Sequence, residues 1–355
     1  MRTTLHWGRW CTLLAALGTV SCLMLCGPGL AEQPAAGAAP APSAAAELPE
    51  GQPWAIPLVL PWDDQEAQGG DWSRALNAKQ DMTRRGKAGE THWYEFRREN
   101  VNYSRIGKPL SRLVAQGRLK RTLLQEEQPG QWRERVEWDR FAVVNTQSGT
   151  EVPEPKELPT AAGIGFDFVP TQFDFVNIPA DFSRVGDEMG GYLLKIVSID
   201  TMGFDALALA IRGEFHGAAR IGDLARVPRG QVNMSIKKVT QEGEATDYRL
   251  GELVVSVAGI TRRNGEPCLL LWFSAEGNDV KQDLGNPQMT IRMSATEYFR
   301  GEMVVSLLDG RIVAGELFGP LPSLIEIGMG GEPPKEVPIF GVIQQVSLWE
   351  VAAPE

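Results

Sequence analysis

Histidine and cysteine are scarce in this 355-residue chain, with three of the first and four of the second. Metal centres and nucleophilic triads draw on those residues, so there is little material for either. After the first thirty residues no apolar run approaches the roughly 20 residues that a membrane-crossing helix needs. A basic excess is missing too: 35 Lys and Arg stand against 45 Asp and Glu, a formal charge of -10. That balance excludes a general affinity for nucleic acid. Hydrophobic content of 43% and charged content of 23% belong to an ordinary globular protein, not to a disordered or collagen-like chain.

What is present begins with a leader. Arg2 and Arg9 accompany an apolar stretch from Cys11 to Leu25, and Gly29-Leu30-Ala31 supplies the small residues of a cleavage site ahead of Glu32. Residues 1–31 are therefore expected to be an export signal, which places the protein in the periplasm, the cell envelope or the extracellular space. An uncleaved N-terminal anchor and lipid attachment at Cys22 or Cys26 are the other readings of this stretch. Without the leader Cys268 is the sole thiol, so no internal disulfide can form and the core must hold the fold. Cys268 itself lies in the strand-like run Cys268–Phe273 and reads as a small buried hydrophobe.

Composition divides the rest. Residues 32–52 are rich in Ala and Pro and read as a disordered tether. Residues 53–90 hold an apolar strap and a short helix. In the strap Trp54, Ile56, Leu58, Leu60 and Trp62 share one side of an extended chain, and its prolines keep it at an edge. It either docks on its own domain or offers itself to a partner. The spacing of Trp72, Ala75, Leu76 and Lys79 predicts a helix over Asp71–Arg85, capped by Asp71 and closed by Gly86.

From Trp93 onward the pattern is β. Leu119–Gln125 and Trp132–Arg140 flank Pro129-Gly130, and Trp132, Glu134, Val136 and Trp138 alternate with charged residues. Leu250–Thr261 and Cys268–Ser274 flank Asn264-Gly265, a strong hairpin signal. Met303–Leu308 and Ile312–Phe318 flank Asp309-Gly310 in the same way. Pro338–Val351 reads as a closing strand with Phe340, Val342, Val346 and Leu348 on one face. A helix is predicted over Asp200–Ile211, from the spacing of Phe204, Leu207, Ala208 and Ile211, with Asp200 or Thr201 as cap.

An internal repeat would account for several matches at an offset of 131: Val101-Asn102-Tyr103-Ser104 with Val232-Asn233-Met234-Ser235, and Arg118-Leu119 with Arg249-Leu250. Trp138 meets Trp272 once the longer second turn is allowed for. The expected fold is mainly β, an α+β arrangement with few helices and antiparallel sheets rich in hairpins, as a sandwich or an open half-barrel. A first β module over 91–221 and a second over 222–355 would be joined by the helix at 200–211. In pattern alone the alternating strands and tight hairpins resemble exported bacterial β domains, among them half-barrels that carry lipids or lipoproteins.

Chemistry is harder to find. His92 and His216, the histidines beyond the leader, have no Cys or second His nearby, and no G-x-S-x-G elbow is present. Asn278, Asp279 and Asp283 miss the calcium-loop spacing, flank a turn and read as a solvated acidic loop. Gly163-Ile164-Gly165 and Gly328-Met329-Gly330-Gly331 do not open helices after strands, so they read as turns and not as phosphate cradles. Asn102 and Asn233 each begin a glycosylation sequon. The run from Arg84 to Arg121 is cationic and interleaved with aromatics. It is either a solvated strand face or a surface for an anionic envelope polymer, with Arg97 and Arg98 as its test positions.

No catalytic, metal or cofactor-binding residue is assigned, and no cofactor is implied. The function expected is that of an exported non-enzymatic β protein engaged in binding or scaffolding. Its partner is an envelope protein, an anionic polymer or an apolar ligand, and no transmembrane span remains in the mature chain. One alternative is a carrier of a lipid or other apolar ligand, its half-barrel pocket lined by Leu207, Ile211, Leu270 and Trp272. Another is an exported hydrolase using dispersed acids such as Asp63, Asp64 or Asp200. A tight knot of ionisable groups around His92 or His216 would overturn the non-enzymatic reading.

Overall fold

Alternation of buried and exposed side chains governs the architecture. The computed structural model describes residues 78–104, 106–147, 154–170, 181–186, 188–229, 233–237, 245–249, 251–286, 289–329, 333–336 and 339–354. The leader, the tether, the apolar strap and Asp71–Asn77 lie outside these residues. The chain runs through β1 (Gln80–Asp81), β2 (Thr91–Ser104), β3 (Pro109–Gln128), β4 (Gln131–Gln147), β5 (Lys156–Glu157) and β6 (Gly165–Phe168) to the helix α1 (Glu188–Glu214). It continues through β7 (Ala218–Ala219), β8 (Leu224–Val227), β9 (Asn233–Lys237), β10 (Ala245–Arg249), β11 (Glu252–Arg263) and β12 (Glu266–Asn286). β13 (Met289–Ser306), β14 (Ile312–Met329), β15 (Lys335–Glu336) and β16 (Ile339–Val351) follow.

The protein is mainly β and antiparallel, as its sequence pattern predicts. Apart from the short β1–β7 pair, the described strands form one sheet in the order β5-β4-β3-β2-β16-β14-β13-β12-β10-β9. β6 pairs with β4, β11 with β12 and β8, and β15 with β14. The two halves of the chain thus share a single sheet, because β16 lies between β14 and β2.

Three predicted hairpins form. Gln128 faces Gln131 across Pro129-Gly130, with Gly130 at φ 77°. Arg263 faces Glu266 across Asn264 (φ 51°) and Gly265 (φ 80°), the paired positive φ values of a type I′ turn. Asp309-Gly310 sits in a longer loop, closed by the Ser306 N–H donating to the Arg311 carbonyl at 2.9 Å.

One apolar cluster joins Trp138, Phe96, Phe141, Leu193, Val197, Phe204 and Ile211 to Leu253, Val255, Leu269, Leu271, Phe273, Met303 and Leu348. Its members come from every strand between β4 and β11 as well as from α1. β2, β3, β4 and β14 all reach α1, through Arg98 to Asp200, Arg121 to Asp205, Trp138 to Ser198 and the backbone of Gly315 to Phe204. Laid flat, the five adjacent strands from β4 to β14 would extend ~19 Å, whereas a helix is only about 10–12 Å across, so the sheet curls over it. Contact is close: a Cβ on Gly315 of β14 would lie 2.7 Å from the Phe204 ring. Trp138 stacks edge-on with Phe96 and Phe141, and its indole N–H donates to Ser198 Oγ at 3.0 Å.

The helix differs from expectation in length. It spans 27 residues, so Asp200 and Thr201 lie inside it and cap nothing. The predicted helix over Asp71–Arg85 fails in its described part, since Gln80–Asp81 pairs as a strand with Ala218–Ala219. Main-chain bonds explain this preference: Met82 N–H donates to the Gly217 carbonyl at 2.9 Å, and Arg85 N–H to the Asp309 carbonyl at 2.6 Å. The proposed repeat partners Trp138 and Trp272 occupy opposite environments, the first fully buried and the second 50% exposed.

The outer face carries a smaller apolar cluster of Cys268, Leu270, Val304, Val313 and Ala314. Trp272, Tyr298, Phe318 and Trp349 remain exposed. Burial pushes the Cys268 thiol up to about 12, as suits a small core residue and not a nucleophile. Among the described residues no helix is long and apolar enough to cross a membrane.

Candidate functional site

Charged side chains gather at one end of the inner face. Period-two alternation points His92 and Tyr94 of β2, Arg121 of β3, Glu134 of β4 and Glu350 of β16 inward. There they meet Asp205 and Arg212 on α1, Arg84 beyond β1, and Asp309 and Arg311 on the β13–β14 loop. The result is a ladder of alternating charge. Arg121 Nη2 lies 3.0 Å from Asp205 Oδ2 and 2.7 Å from Glu134 Oε2. Arg84 bridges onward, 3.9 Å from Glu134 and 3.2 Å from Asp309. Arg311 takes Asp309 at 3.0 Å and Glu350 at 3.1 Å, and also pairs with Glu266. The ladder ends at His92, whose Nδ1 is 2.7 Å from Glu350 and whose Nε2 is 3.1 Å from Glu90.

Local backbone features hold this assembly. Gly310, at φ 71°, lies so close to the Thr83 carbonyl that any Cβ would collide with it. That contact brings the segment carrying Arg84 against the loop carrying Asp309. The Arg212 guanidinium donates to the Gly310 carbonyl. Tyr94 is fully buried, its hydroxyl donating to the Ile312 carbonyl at 2.9 Å, and burial raises its pKa. Arg121 sits over the rings of Tyr94 and Phe168, 5.7 Å and 5.4 Å from their centres.

Electrostatics along the ladder follow the partners. Burial alone would lower Arg121, but Asp205 and Glu134 hold it firmly protonated. Burial likewise acts to raise Asp309 and Glu350. On Asp309 the Arg311 backbone N–H and the Arg84 and Arg311 guanidinium groups prevail and hold it low; on Glu350 the hydrogen bonds from His92 and Arg311 do so. Asp205 moves the other way: burial and the nearby Glu134 outweigh Arg121 and raise it. Arg212 is pushed down to about 10 by burial and by its neighbour Arg84.

The ladder walls a cleft of about 550 Å³, its open mouth included. Arg84, Arg121, Arg212 and Arg311 line it together with His92, Tyr94, Trp132, Glu134 and Asp205. Among the described residues of this lining, the donors Trp132 Nε1 and Arg212 Nε are buried with no acceptor, and the acceptor Asp205 Oδ2 is buried with no hydrogen-bond donor.

Among the described residues Glu90, His92 and Asp309 could offer ligand atoms to a metal ion, within 4.8 Å of one another. Two guanidinium groups already neutralise Asp309, and both nitrogens of His92 face carboxylates. The trio is better matched to its ion pairs than to a cation.

Residues singled out from sequence fall in several places. His92 stands at the end of the ladder, inside the kind of ionisable knot that counts against a chemically empty protein. His216 is exposed at the end of α1, at φ 52°. Asp200 lies 2.5 Å from Arg98; burial raises its pKa and Arg98 opposes the rise. Asp63 and Asp64 lie outside the described residues. Asn278 and Asp279 belong to the long strand β12 and not to a turn: Asn278 accepts from the Gly251 N–H at 2.7 Å, and Asp279 pairs with Arg229 at 3.0 Å.

The four expected pocket residues do not converge. Leu207 and Ile211 belong to the inner cluster, Leu270 to the outer one, and Trp272 points into solvent. Gly163 takes a turn conformation, while Gly328 and Met329 continue β14. Asn102 is buried and bonded to Ser111 Oγ at 2.6 Å, which leaves no room for a glycan.

The cationic run is neither a solvated face throughout nor an unpaired surface. Arg84 and Arg121 are buried in the ladder, and Arg118 and Lys120 pair with Asp139 and Glu137 on β4. Sequence reasoning passed over Arg121, Glu134, Asp205, Arg212 and Arg311 as site residues. One available signal was Glu134, a carboxylate in register with Trp132, Val136 and Trp138 on an apolar face.

No protein-family model and no curated protein matches the chain. Among solved structures, a Nitrosomonas europaea protein provisionally named AttH is similar at 9% identity, over 73% of this chain and 97% of that one, with a TM-score of 0.13. A likeness of that size carries no argument about fold or function.

Proposed function

We propose that the chain is an exported binding protein in which the helix-filled sheet is a rigid frame and the charged cleft recognises a small polar ligand. The polarity of the cleft carries this reading. Four guanidinium groups, an imidazole and two carboxylates wall it, whereas an apolar carrier needs a cavity lined mainly by hydrophobic side chains. The apolar side chains of the inner face are instead spent on packing α1.

Native mass spectrometry and ligand-observed NMR against small charged metabolites test the proposal. Binding is expected for the wild type and is expected to be lost in Arg121→Met. Saturable uptake of a fluorescent fatty acid, with no response to charged compounds, would sink it in favour of a carrier.

One observation favours a second reading. Glu134 and Asp205 converge on Arg121, and burial raises Asp205, an arrangement in which two carboxylates can divide acid and base roles. An exported hydrolase of this kind would turn over a chromogenic ester or glycoside, lose that activity in Asp205→Asn and retain it in Asp200→Asn. Absence of turnover in the wild type removes this reading.

A further inference from the structure

We propose that the cleft is an oxyanion site, taking the carboxylate or phosphate head of a small molecule on the N–H donors of Trp132 and Arg212. The inference deepens the binding reading of the same cleft and rests on it. Trp132 is 8% exposed and its indole nitrogen is buried without an acceptor. Arg212 Nε is in the same position, and the hydrogen bond its guanidinium does make goes to a neutral carbonyl, that of Gly310. A buried donor left unpaired costs free energy on the scale of a lost hydrogen bond, so native structures seldom keep two in one place. Both donors line one cleft, and both ask for the same thing, an acceptor.

Charge and size narrow the choice. Among the described residues Glu134 and Asp205 are the carboxylates of the lining; Arg121 forms an ion pair with each, although Asp205 Oδ2 has no hydrogen-bond donor. Arg212 has Arg84 as a like-charged neighbour, and burial pushes it down, so an incoming negative charge would relieve both effects. A carboxylate or phosphate head is small against the cleft of about 550 Å³, open mouth included, and leaves the rest of the molecule at that mouth. Arg-walled sites favour such groups because guanidinium N–H pairs match their oxygens.

Isothermal titration calorimetry at constant ionic strength provides the test, using inorganic phosphate, acetate, methylammonium and glucose as probes. Phosphate or acetate is expected to saturate one site, and the preference between them identifies the head group. Trp132→Phe keeps the ring and removes only the N–H, and is expected to weaken binding about tenfold; Arg212→Gln should weaken it by more. Circular dichroism and Tm verify folding, and Trp132→Phe alone suffices if Arg212→Gln does not fold. Equal oxyanion affinity in wild type and Trp132→Phe overturns the assignment. Saturable binding of glucose or methylammonium without either oxyanion also overturns it, while leaving the binding reading intact. Silence from all four probes removes both.

Discussion

The inner and outer faces of this sheet use the same residue types to opposite ends. On the inner face Trp138 is buried, ring-stacked and hydrogen-bonded; on the outer face Trp272 is half exposed. Inner carboxylates alternate with guanidinium groups along the ladder. On the outer face Glu302 and Glu316 stand directly opposite each other on β13 and β14. Burial acts on all of these acids in the same direction, yet Glu350 titrates low while Glu302 and Glu316 titrate high. Burial prevails at Glu302 and Glu316, as it does at Asp205, whereas at Glu350 the hydrogen bonds from His92 and Arg311 overcome it.

Substitutions can break this contrast, and the largest effect is expected at Trp138. Trp138→Ala empties a site between β4 and α1 and should cost about 4 kcal/mol, read from the urea midpoint. Trp272→Ala should change stability by no more than about 0.5 kcal/mol. Similar losses at both positions would dissolve the distinction between the faces.

The two acids sharpen it through pH. Glu350 titrates below its ordinary 4.5, so its contribution is present above that value and fades as pH falls through the depressed one. Glu350→Gln should therefore cost about 2 kcal/mol at neutral pH, with a deficit that shrinks in acid. Glu316 titrates above 4.5, so its contribution is intact below that value and is lost as pH rises through the raised one. Glu316→Gln should stabilise by about 0.5 kcal/mol at neutral pH and by nothing in acid. Urea midpoints followed from acid to neutral pH test both; parallel curves for the two variants would refute the contrast.

Much of the fold was legible in the sequence because hairpins are local. Asn264-Gly265 needs only two positive φ values, and those residue types reach them readily. The helix was legible only in its second half. Its first half contains Gly190-Gly191 and the β-branched Ile196, Val197 and Ile199, whose weak helix propensity is overridden by packing inside the curled sheet. The prediction over Asp71–Arg85 failed in its described part for a similar reason, since tertiary hydrogen bonds to Gly217 and Asp309 claim that backbone. The site was hardest to read. Its charges run from Arg84 to Glu350 and come together only through the curl of the sheet, so no short motif could announce them. Nor could the pattern show which face of β12 turns inward, that of Leu269 and Leu271 or that of Leu270 and Trp272.

Insertion of β16 between β14 and β2 pairs residues 235 (Ser104 with Ile339) to 258 (Trp93 with Val351) positions apart in the chain. Until that strand arrives, β2 and β14 each present a long row of unpaired backbone groups, a template for pairing with other chains. Assembly dominated by such distant contacts is slow. Aggregation during refolding should therefore respond to changes in β16 more strongly than to equally buried changes in the local β3–β4 hairpin.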